Sequence, residues 1–329
     1  MALAANVRQY LPSKRIQQME ADLADLARVW ENTRFAGPWG WSLATKQRYK
    51  QMGVAEECLP SDEWLAEVRR LSSREFACGY IKELLEELKD ERLLGSEMRW
   101  VTAPLPPRGE GYRGAYIFKS PWSSSGRGVF VSPYPTSPRG EGNRPDGNFS
   151  PLGEIERGLQ RLQGFLSSQG GYVMDRFYED KVLDFAMEFY VNEDGSVDFL
   201  GYSVFHADTN GTYGYNYVES QEELLQRISP LPTSPKGEER LLDRLIDYHK
   251  AHLSTVNYSG PVGIDMLKTA DGHIHPCLEM NFRMNMGILA LLLQEQYGAG
   301  CTIQLTPHRP NGFEALVERG KLMIAYRKQ

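Results

Sequence analysis

The sequence has few cysteines, no long apolar run and no excess of positive charge. Four cysteines occur in 329 residues, without any CxxC pair: Cys58, Cys78, Cys277 and Cys301. Scattered cysteines are typical of reduced thiols in a cytoplasmic protein, rather than of a disulfide framework or a zinc site. We therefore expect a cytoplasmic protein in which each cysteine is a small buried apolar residue.

The longest apolar run, GILALLL (287–293), is far shorter than the roughly 20 residues that a membrane-spanning helix needs. The segment MALAANVRQYLPSKR has no apolar stretch with a cleavage pattern, so no signal peptide is predicted. The net charge is −6 and the pI about 5.7, which disfavours general binding to nucleic acid or anionic membranes. We expect neither as a partner.

The periodicity of apolar residues predicts an α+β protein. The first hundred residues are predicted to be mostly helical, with helices over 13–31, 61–70 and 73–90 and no strong opening strand. From residue 114 onward, short β-rich segments alternate with turns and with helices at 153–167, 238–254 and from about Gly287.

Three near copies of a segment rich in Pro, Gly and Ser interrupt this pattern: APLPPRGEG (103–111), SPYPTSPRGEG (132–142) and SPLPTSPKGEE (229–239). One interpretation is a polyproline ligand for an aromatic groove of a partner. The other is an inserted surface loop, whose closure entropy grows only with the logarithm of its length. Composition favours the inserted loop, since these segments sustain neither a helix nor a central strand.

The stretch KSPWSSSGRGVFV (119–131) combines features that suit a phosphate group. Glycines let backbone amides approach anionic oxygens, serine hydroxyls add donors, and Lys119 supplies a point charge at the end of a predicted strand. The stretch is neither a P-loop nor a dinucleotide fingerprint, because the spacing differs and no helix follows. A loop over a triphosphate and a hairpin without any ligand both remain open.

Two predicted strands, GIDML (263–267) and CLEMNFR (277–283), concentrate polar side chains. Asp265 lies in an apolar strand, where an unpaired carboxylate is costly. Glu279 and Asn281 are two residues apart and so share one face, and Arg283 continues the alternation. Such oxygen ligands suit Mg²⁺. The alternative is a buried Glu–Arg ion pair with a capping Asn, which leaves Asp265 unexplained.

Together these stretches resemble the ATP-grasp superfamily, which includes D-alanine–D-alanine ligase, glutathione synthetase and biotin carboxylase. The resemblance covers roughly residues 70 to 300. It implies an α+β ATP-grasp fold, in which two subdomains (98–177 and 178–329) clasp ATP after a mostly helical N-terminal domain (1–97). That domain normally opens with a strand, for which the sequence shows no pattern, so it is either atypical or lacks its first strand.

The resemblance also implies roles for individual residues. It implies nucleotide contacts in the glycine-rich stretch at Lys119, Ser123, Ser124, Ser125, Gly126 and Gly128. Asp265, Glu279 and Asn281 are implied as ligands of Mg²⁺ or Mn²⁺. As catalytic residues, Arg283 would contact a phosphate or the substrate carboxylate, and Arg127 the transferred phosphoryl group.

Further nucleotide contacts are implied at four positions. VMDRF resembles the hinge strand and carries Asp175, where Glu is more usual, together with Phe177. DFAMEF places Asp184 at the ribose-binding acid, although acidic residues beside a turn are often merely solvated. Arg74 stands where the family usually has a lysine on a helix, and it keeps the charge without the compact geometry.

The implied function is an ATP- and Mg²⁺-dependent carboxylate–amine ligase acting on a small amino-acid-like or peptide substrate. Catalysis of this kind depends on positioning and charge neutralisation, so it requires no protein nucleophile. Two alternatives remain: a kinase on the same fold, and a nucleotide-binding protein without activity. The substrate is not identified by these residues, and the oligomeric state is open, with a homodimer as one alternative.

Overall fold

The structure, a computed structural model, describes residues 30, 33–103, 115–122, 128–132, 151–208, 213–229, 237–306, 311–312, 314–319 and 322–328. The predicted helix at 13–31 lies outside these residues, except for residue 30. Most of the three repeated segments, and residues 123–127 of the glycine-rich stretch, also lie outside them.

Five of the seven described α-helices follow directly after a residue whose side chain caps them. They span Leu43–Gln51 (α1), Asp62–Leu71 (α2), Arg74–Leu88 (α3), Pro151–Gln169 (α4), Gln221–Ile228 (α5), Gly237–Leu253 (α6) and Met286–Tyr297 (α7). Ser61 and Ser73 accept hydrogen bonds from the first-turn amides of α2 and α3, which satisfies donors that a helix leaves unpaired. The predicted helices at 61–70 and 73–90 are therefore confirmed.

The described strands form two antiparallel sheets, which confirms the predicted α+β class. They span Arg99–Val101 (β1), Tyr116–Lys119 (β2), Val129–Ser132 (β3), Tyr172–Arg176 (β4), Lys181–Val191 (β5), Val197–Ala207 (β6), Tyr213–Val218 (β7), Gly260–Thr269 (β8), Ile274–Asn281 (β9), Cys301–Thr306 (β10), Glu314–Arg319 (β11) and Leu322–Lys328 (β12). The smaller sheet has the order β1-β4-β2-β3, and the larger β11-β12-β10-β7-β6-β5-β8-β9.

Alternation along the central strands gives the larger sheet one apolar face. Phe185, Met187 and Phe189 of β5 lie opposite Met266, Ile264 and Val262 of β8, and all six are buried in a core shared with α3 and α6. Because side chains alternate, the residues between them point to the opposite face. That second face carries the polar groups discussed below.

The structure differs from the sequence-based expectations at several places. α1 was not predicted because LATKQRYKQ is polar along its length, and its buried residues are Thr45 and Lys46. The short β1 and the strands β10 to β12 were also not predicted. Cys58 is exposed, so the expectation of four buried cysteines is wrong, although none of the four forms a disulfide. Among the described residues, no helix has the length and apolarity to cross a bilayer.

Candidate functional site

The polar face of the larger sheet brings together residues from three adjacent strands. On β8, Asp265 lies opposite Ala186 of β5 on one side and Glu279 of β9 on the other. One pair further along, Gly263 lies between Glu188 and Asn281. Directly opposite residues share a face. Asp265, Glu279, Asn281 and Glu188 therefore project to the same side of the sheet.

Asp265 lies in the middle of this group. It is half-buried, and Asn281 donates its Nδ2 hydrogen to Oδ2 at 3.1 Å. Removal from water raises the pKa of Asp265 well above its usual range, and the negative charges of Glu279 and Glu188 raise it further. Three carboxyl groups therefore lie close together on this face of the sheet.

Glu279 pairs with Arg74, the first residue of α3. Burial alone would raise the pKa of Glu279, but Arg74, Arg283 and Lys119 together hold it below its ordinary value. Arg74 also donates from Nη1 to the Ser120 carbonyl at 2.7 Å. This arginine therefore joins strand β9 to the segment that follows β2. The Glu–Arg ion pair of the alternative interpretation is thus present, but Glu279 forms it with Arg74 rather than with Arg283.

Lys119 and Asp175 lie side by side on β2 and β4 of the smaller sheet. Lys119 Nζ is 3.9 Å from Asp175 Oδ2, and both side chains are buried. The same oxygen is 3.2 Å from Nε2 of His275 on β9, without the alignment of a hydrogen bond. Burial would raise the pKa of Asp175, but His275 and Lys119 bring it below its usual value. This cluster connects the two sheets.

The other two residues predicted near the nucleotide, Phe177 and Asp184, lie on either side of the turn between β4 and β5. Phe177 donates its backbone N–H to the Ala115 carbonyl at 2.9 Å, which extends the pairing beyond β4. Asp184 accepts from Lys181 Nζ at 2.6 Å. Burial raises the pKa of Asp184, and the charge of Lys181 partly opposes that rise.

Arg283 lies past the end of β9, so it does not continue the strand alternation as expected. It reaches back, and Nη2 donates to Asn281 Oδ1 at 2.7 Å. A loop near the N-terminus packs against it: Met284 N–H donates to the Trp39 carbonyl at 2.9 Å, and a Cβ on Gly40 would come within 3.2 Å of Arg283 Cβ. This contact between distant segments has no signal in the sequence.

The glycine-rich stretch forms the predicted hairpin between β2 and β3, whose strands pair antiparallel with Lys119 opposite Val129. Gly128 has φ of +75°, which favours glycine, and its carbonyl accepts from Ser120 N–H at 2.8 Å. Trp122 fixes the start of the turn by donating from Nε1 to the Arg69 carbonyl at 2.9 Å. The remaining predicted residues of the turn lie outside the described residues: Ser123, Ser124, Ser125, Gly126 and Arg127.

Glu188 lies on the same face of the sheet as Asp265 and was not among the residues predicted from the sequence. It is 1% exposed, and it accepts from Ser203 Oγ at 2.7 Å and from Asn285 Nδ2 at 2.8 Å. Burial raises its pKa to about 7. The available signal was its position four residues after Asp184 in DFAMEF, which puts both acids on one face of a strand.

The donor set around Asp265 fits a divalent cation of the Mg²⁺ type. It offers two carboxylates and the amide oxygen of Asn281, which accepts from Arg283 in this structure, and all three are hard ligands. The pKa of Asp265 is raised first by burial and then by the charges of Glu279 and Glu188, and a bound cation would offset those charges. Within the described ranges, no three His, Cys, Asp or Glu side chains form a metal cluster. An ion here would need further oxygens from phosphate or water.

No family model and no curated protein matches the sequence. Solved structures similar to the chain are ATP-grasp proteins, as its motifs predict. The biotin carboxylase domain of Hydrogenobacter thermophilus 2-oxoglutarate carboxylase with MgADP is 10% identical, with a TM-score of 0.40, over 67% of this chain and 53% of that one. Campylobacter jejuni biotin carboxylase is 12% identical, with a TM-score of 0.47, over 79% and 63%.

An L-amino acid ligase from Bacillus licheniformis is also 12% identical, with a TM-score of 0.44, over 94% of this chain and 80% of that one. The chain thus covers less than two thirds of the two biotin carboxylase structures. At these sequence identities and TM-scores, the similarity to the solved structures does not identify the reaction. Any functional assignment depends on the geometry of the chain itself.

Proposed function

We propose that the chain is an ATP- and Mg²⁺-dependent ligase of the ATP-grasp type, which activates a substrate carboxylate as an acyl phosphate for attack by an amine. The observation that carries the proposal is the convergence of oppositely charged groups from separate elements. Arg74 from α3 and Lys119 from β2 approach the carboxylate of Glu279 on β9, next to Asp265 on β8. Such an arrangement suits a polyphosphate with its metal ion.

In this proposal, Lys119 and Arg74 bind nucleotide phosphate, and Asp265, Glu279 and Asn281 hold Mg²⁺. Bound Mg·ATP would supply the transferable phosphoryl group and neutralise its charge. Arg74 has a second task, because its hydrogen bond to the Ser120 carbonyl fixes the segment after Lys119. The chain's own contribution is positioning and electrostatic stabilisation, which need no covalent protein intermediate.

Arg283 is assigned to the reacting carboxylate or phosphate. Its guanidinium is held by Asn281 Oδ1 and the Met284 carbonyl, so its position is set before any substrate binds. Arg127 and the serines of the glycine-rich turn are proposed to contact the phosphates. Asp175, Phe177 and Asp184 are proposed to line the nucleoside, with the subdomains divided at residues 98 and 178.

The proposed substrates are a small amino-acid-like or peptide carboxylate and an amine. The test is an ATP-consumption screen over pairs of such compounds, with products identified by mass. We expect phosphate release that requires an amine, together with a product whose mass equals acid plus amine minus water. A stable phosphorylated product would instead support a kinase. Mg·ATP binding without turnover across a broad panel would support a nucleotide-binding protein without activity.

A further inference from the structure

We propose that Glu188 is a positioning residue for the site: through Asn285 it holds the segment 281–285 against the sheet, and so sets the positions of Asn281 and Arg283. The inference rests on the proposed function, because those two residues matter only if the face binds Mg·ATP. Glu188 itself is buried under the start of α7 and is not assigned a contact with substrate.

Asn285 forms hydrogen bonds through both ends of its side-chain amide. Its Oδ1 accepts from the Ile288 N–H at 2.9 Å and caps α7, and its Nδ2 donates to Glu188 Oε2 at 2.8 Å. A cap needs only the oxygen. The additional bond ties the N-terminus of α7 to the middle of β5.

The connection between β9 and α7 is short. Asn281 ends β9, where it pairs with Gly263 of β8, and α7 begins at Met286. Only four residues separate these points, and Arg283 is among them. A chain this short is fixed by its ends, so the Glu188–Asn285 bond at one end restricts where the Arg283 side chain starts.

The fold leaves little space around the Glu188 carboxylate. A Cβ at Gly287 would overlap Glu188 Oε1 and Ser203 Oγ, and a Cβ at Gly263 would lie 2.6 Å from Glu188 Oε2 and would overlap Asn285 Nδ2. Because both positions are glycine, the side chains of Glu188, Ser203 and Asn285 can lie close to the backbone there. A buried carboxylate with two donors and two adjacent glycines is closely enclosed, and a smaller side chain would leave Asn285 and Ser203 without their acceptor.

The test compares the Mg·ATP dissociation constants of Glu188 variants by titration calorimetry, at a temperature where each variant is folded. Glu188→Ala should weaken Mg·ATP binding about 10- to 100-fold, the range seen when groups that orient metal ligands are removed. Glu188→Gln should bind close to wild type, because its amide can accept from Asn285 and donate to Ser203. If Glu188→Ala does not fold, Asn285→Ser replaces it, since serine keeps the cap but is too short to reach Glu188.

The matched control is Gln221→Ala. Gln221 makes two hydrogen bonds to the backbone of Tyr202 on β6, at 2.7 Å and 3.1 Å, next to Ser203 in sequence. Its loss should lower the urea midpoint without changing Mg·ATP affinity. Equal weakening in Gln221→Ala and Glu188→Ala would mean that binding follows general stability, and would overturn the positioning role.

Amide hydrogen exchange separates this inference from the proposed function. Glu188→Ala should increase exchange at residues 282–288 more than Gln221→Ala does, whether or not a nucleotide binds. If wild type fails to bind Mg·ATP, the proposed function is wrong. If, in addition, Glu188→Ala exchanges its amide hydrogens at residues 282–288 as slowly as wild type does, Glu188 does not hold this segment either. If wild type binds Mg·ATP and Glu188→Ala binds equally well, only the positioning inference is overturned.

Discussion

The contribution of the Arg74–Glu279 ion pair to the free energy of unfolding can be tested by replacing Arg74 with methionine. Methionine keeps an unbranched side chain and good helix propensity while it removes the guanidinium. The Ser120 carbonyl then loses its donor, a loss of about 1 kcal/mol. Glu279 loses its paired cation, which typically destabilises a buried pair by about 3–5 kcal/mol. Lys119 and Arg283 remain nearby, and the Glu279 side chain is 24% exposed, so the lower end applies.

We therefore expect Arg74→Met to lower the free energy of unfolding by about 3 to 4 kcal/mol at pH 7. The neighbouring cations hold the folded-state pKa of Glu279 below its usual value. Its stabilising contribution is thus present above the unfolded pKa, near about 4.3, and is lost as the pH falls through the folded value. The difference between variant and wild type should shrink below about pH 4.

Urea unfolding at several pH values measures this difference. A reduction of less than about 1 kcal/mol at pH 7 would mean that Arg74 and Glu279 are as weakly coupled as a surface pair. A reduction of equal size at all pH values would also refute the reasoning, because it would attribute the loss to packing rather than to the ionised carboxylate. The Arg69→Met variant of α2, which leaves Glu279 with its partner, is the control.

Three further predictions concern other parts of the chain. Gly287→Ala should lower the free energy of unfolding in urea by about 1–3 kcal/mol, because the added Cβ would overlap Glu188. Alanine normally stabilises a helix relative to glycine, so a stabilised variant would contradict this packing. Burial raises the pKa of Glu188 to about 7, above the value near about 4.3 that an unfolded chain gives it, so the stability of wild type should fall as the pH rises from about 4 to about 7. Glu188→Gln cannot ionise, so it should gain stability relative to wild type over that interval and keep the gain above pH 7, as measured by urea unfolding; parallel pH curves would argue against it. A thiol reagent should label exposed Cys58 in the folded protein and Cys277 only after unfolding, as read by peptide mass, and rapid labelling of Cys277 would contradict its burial.

Local patterns predicted much of the fold. Serines ahead of amphipathic stretches marked the starts of α2 and α3, and alternation marked β5 and β8, because capping and side-chain direction depend on neighbouring residues. α1 was missed because it has no apolar stripe. Its buried Lys46 is stabilised by a hydrogen bond to Asp62, and the spacing of apolar residues does not indicate such a contact.

Within the site, the sequence predicted which residues share a face but not their partners. Asp265 and Glu279 are opposite each other, as two adjoining strands require. The pairing of Glu279 with Arg74 spans 205 positions and depends on how α3 packs on the sheet. Glu188 was missed for a similar reason, since its burial results from the docking of α7 rather than from its own strand.

The most direct test of the central claim is a calorimetric titration of Mg·ATP into wild type, Glu279→Gln and a control, Glu219→Gln. Glu219 is also a buried carboxylate paired with an arginine, at 2.6 Å from Arg227 Nε, but it follows β7 away from Asp265. We expect wild type and the control to bind alike, and Glu279→Gln to bind about 10- to 100-fold more weakly through loss of ligand charge. Equal affinities in all three proteins would contradict the assignment of this sheet face as the Mg·ATP site.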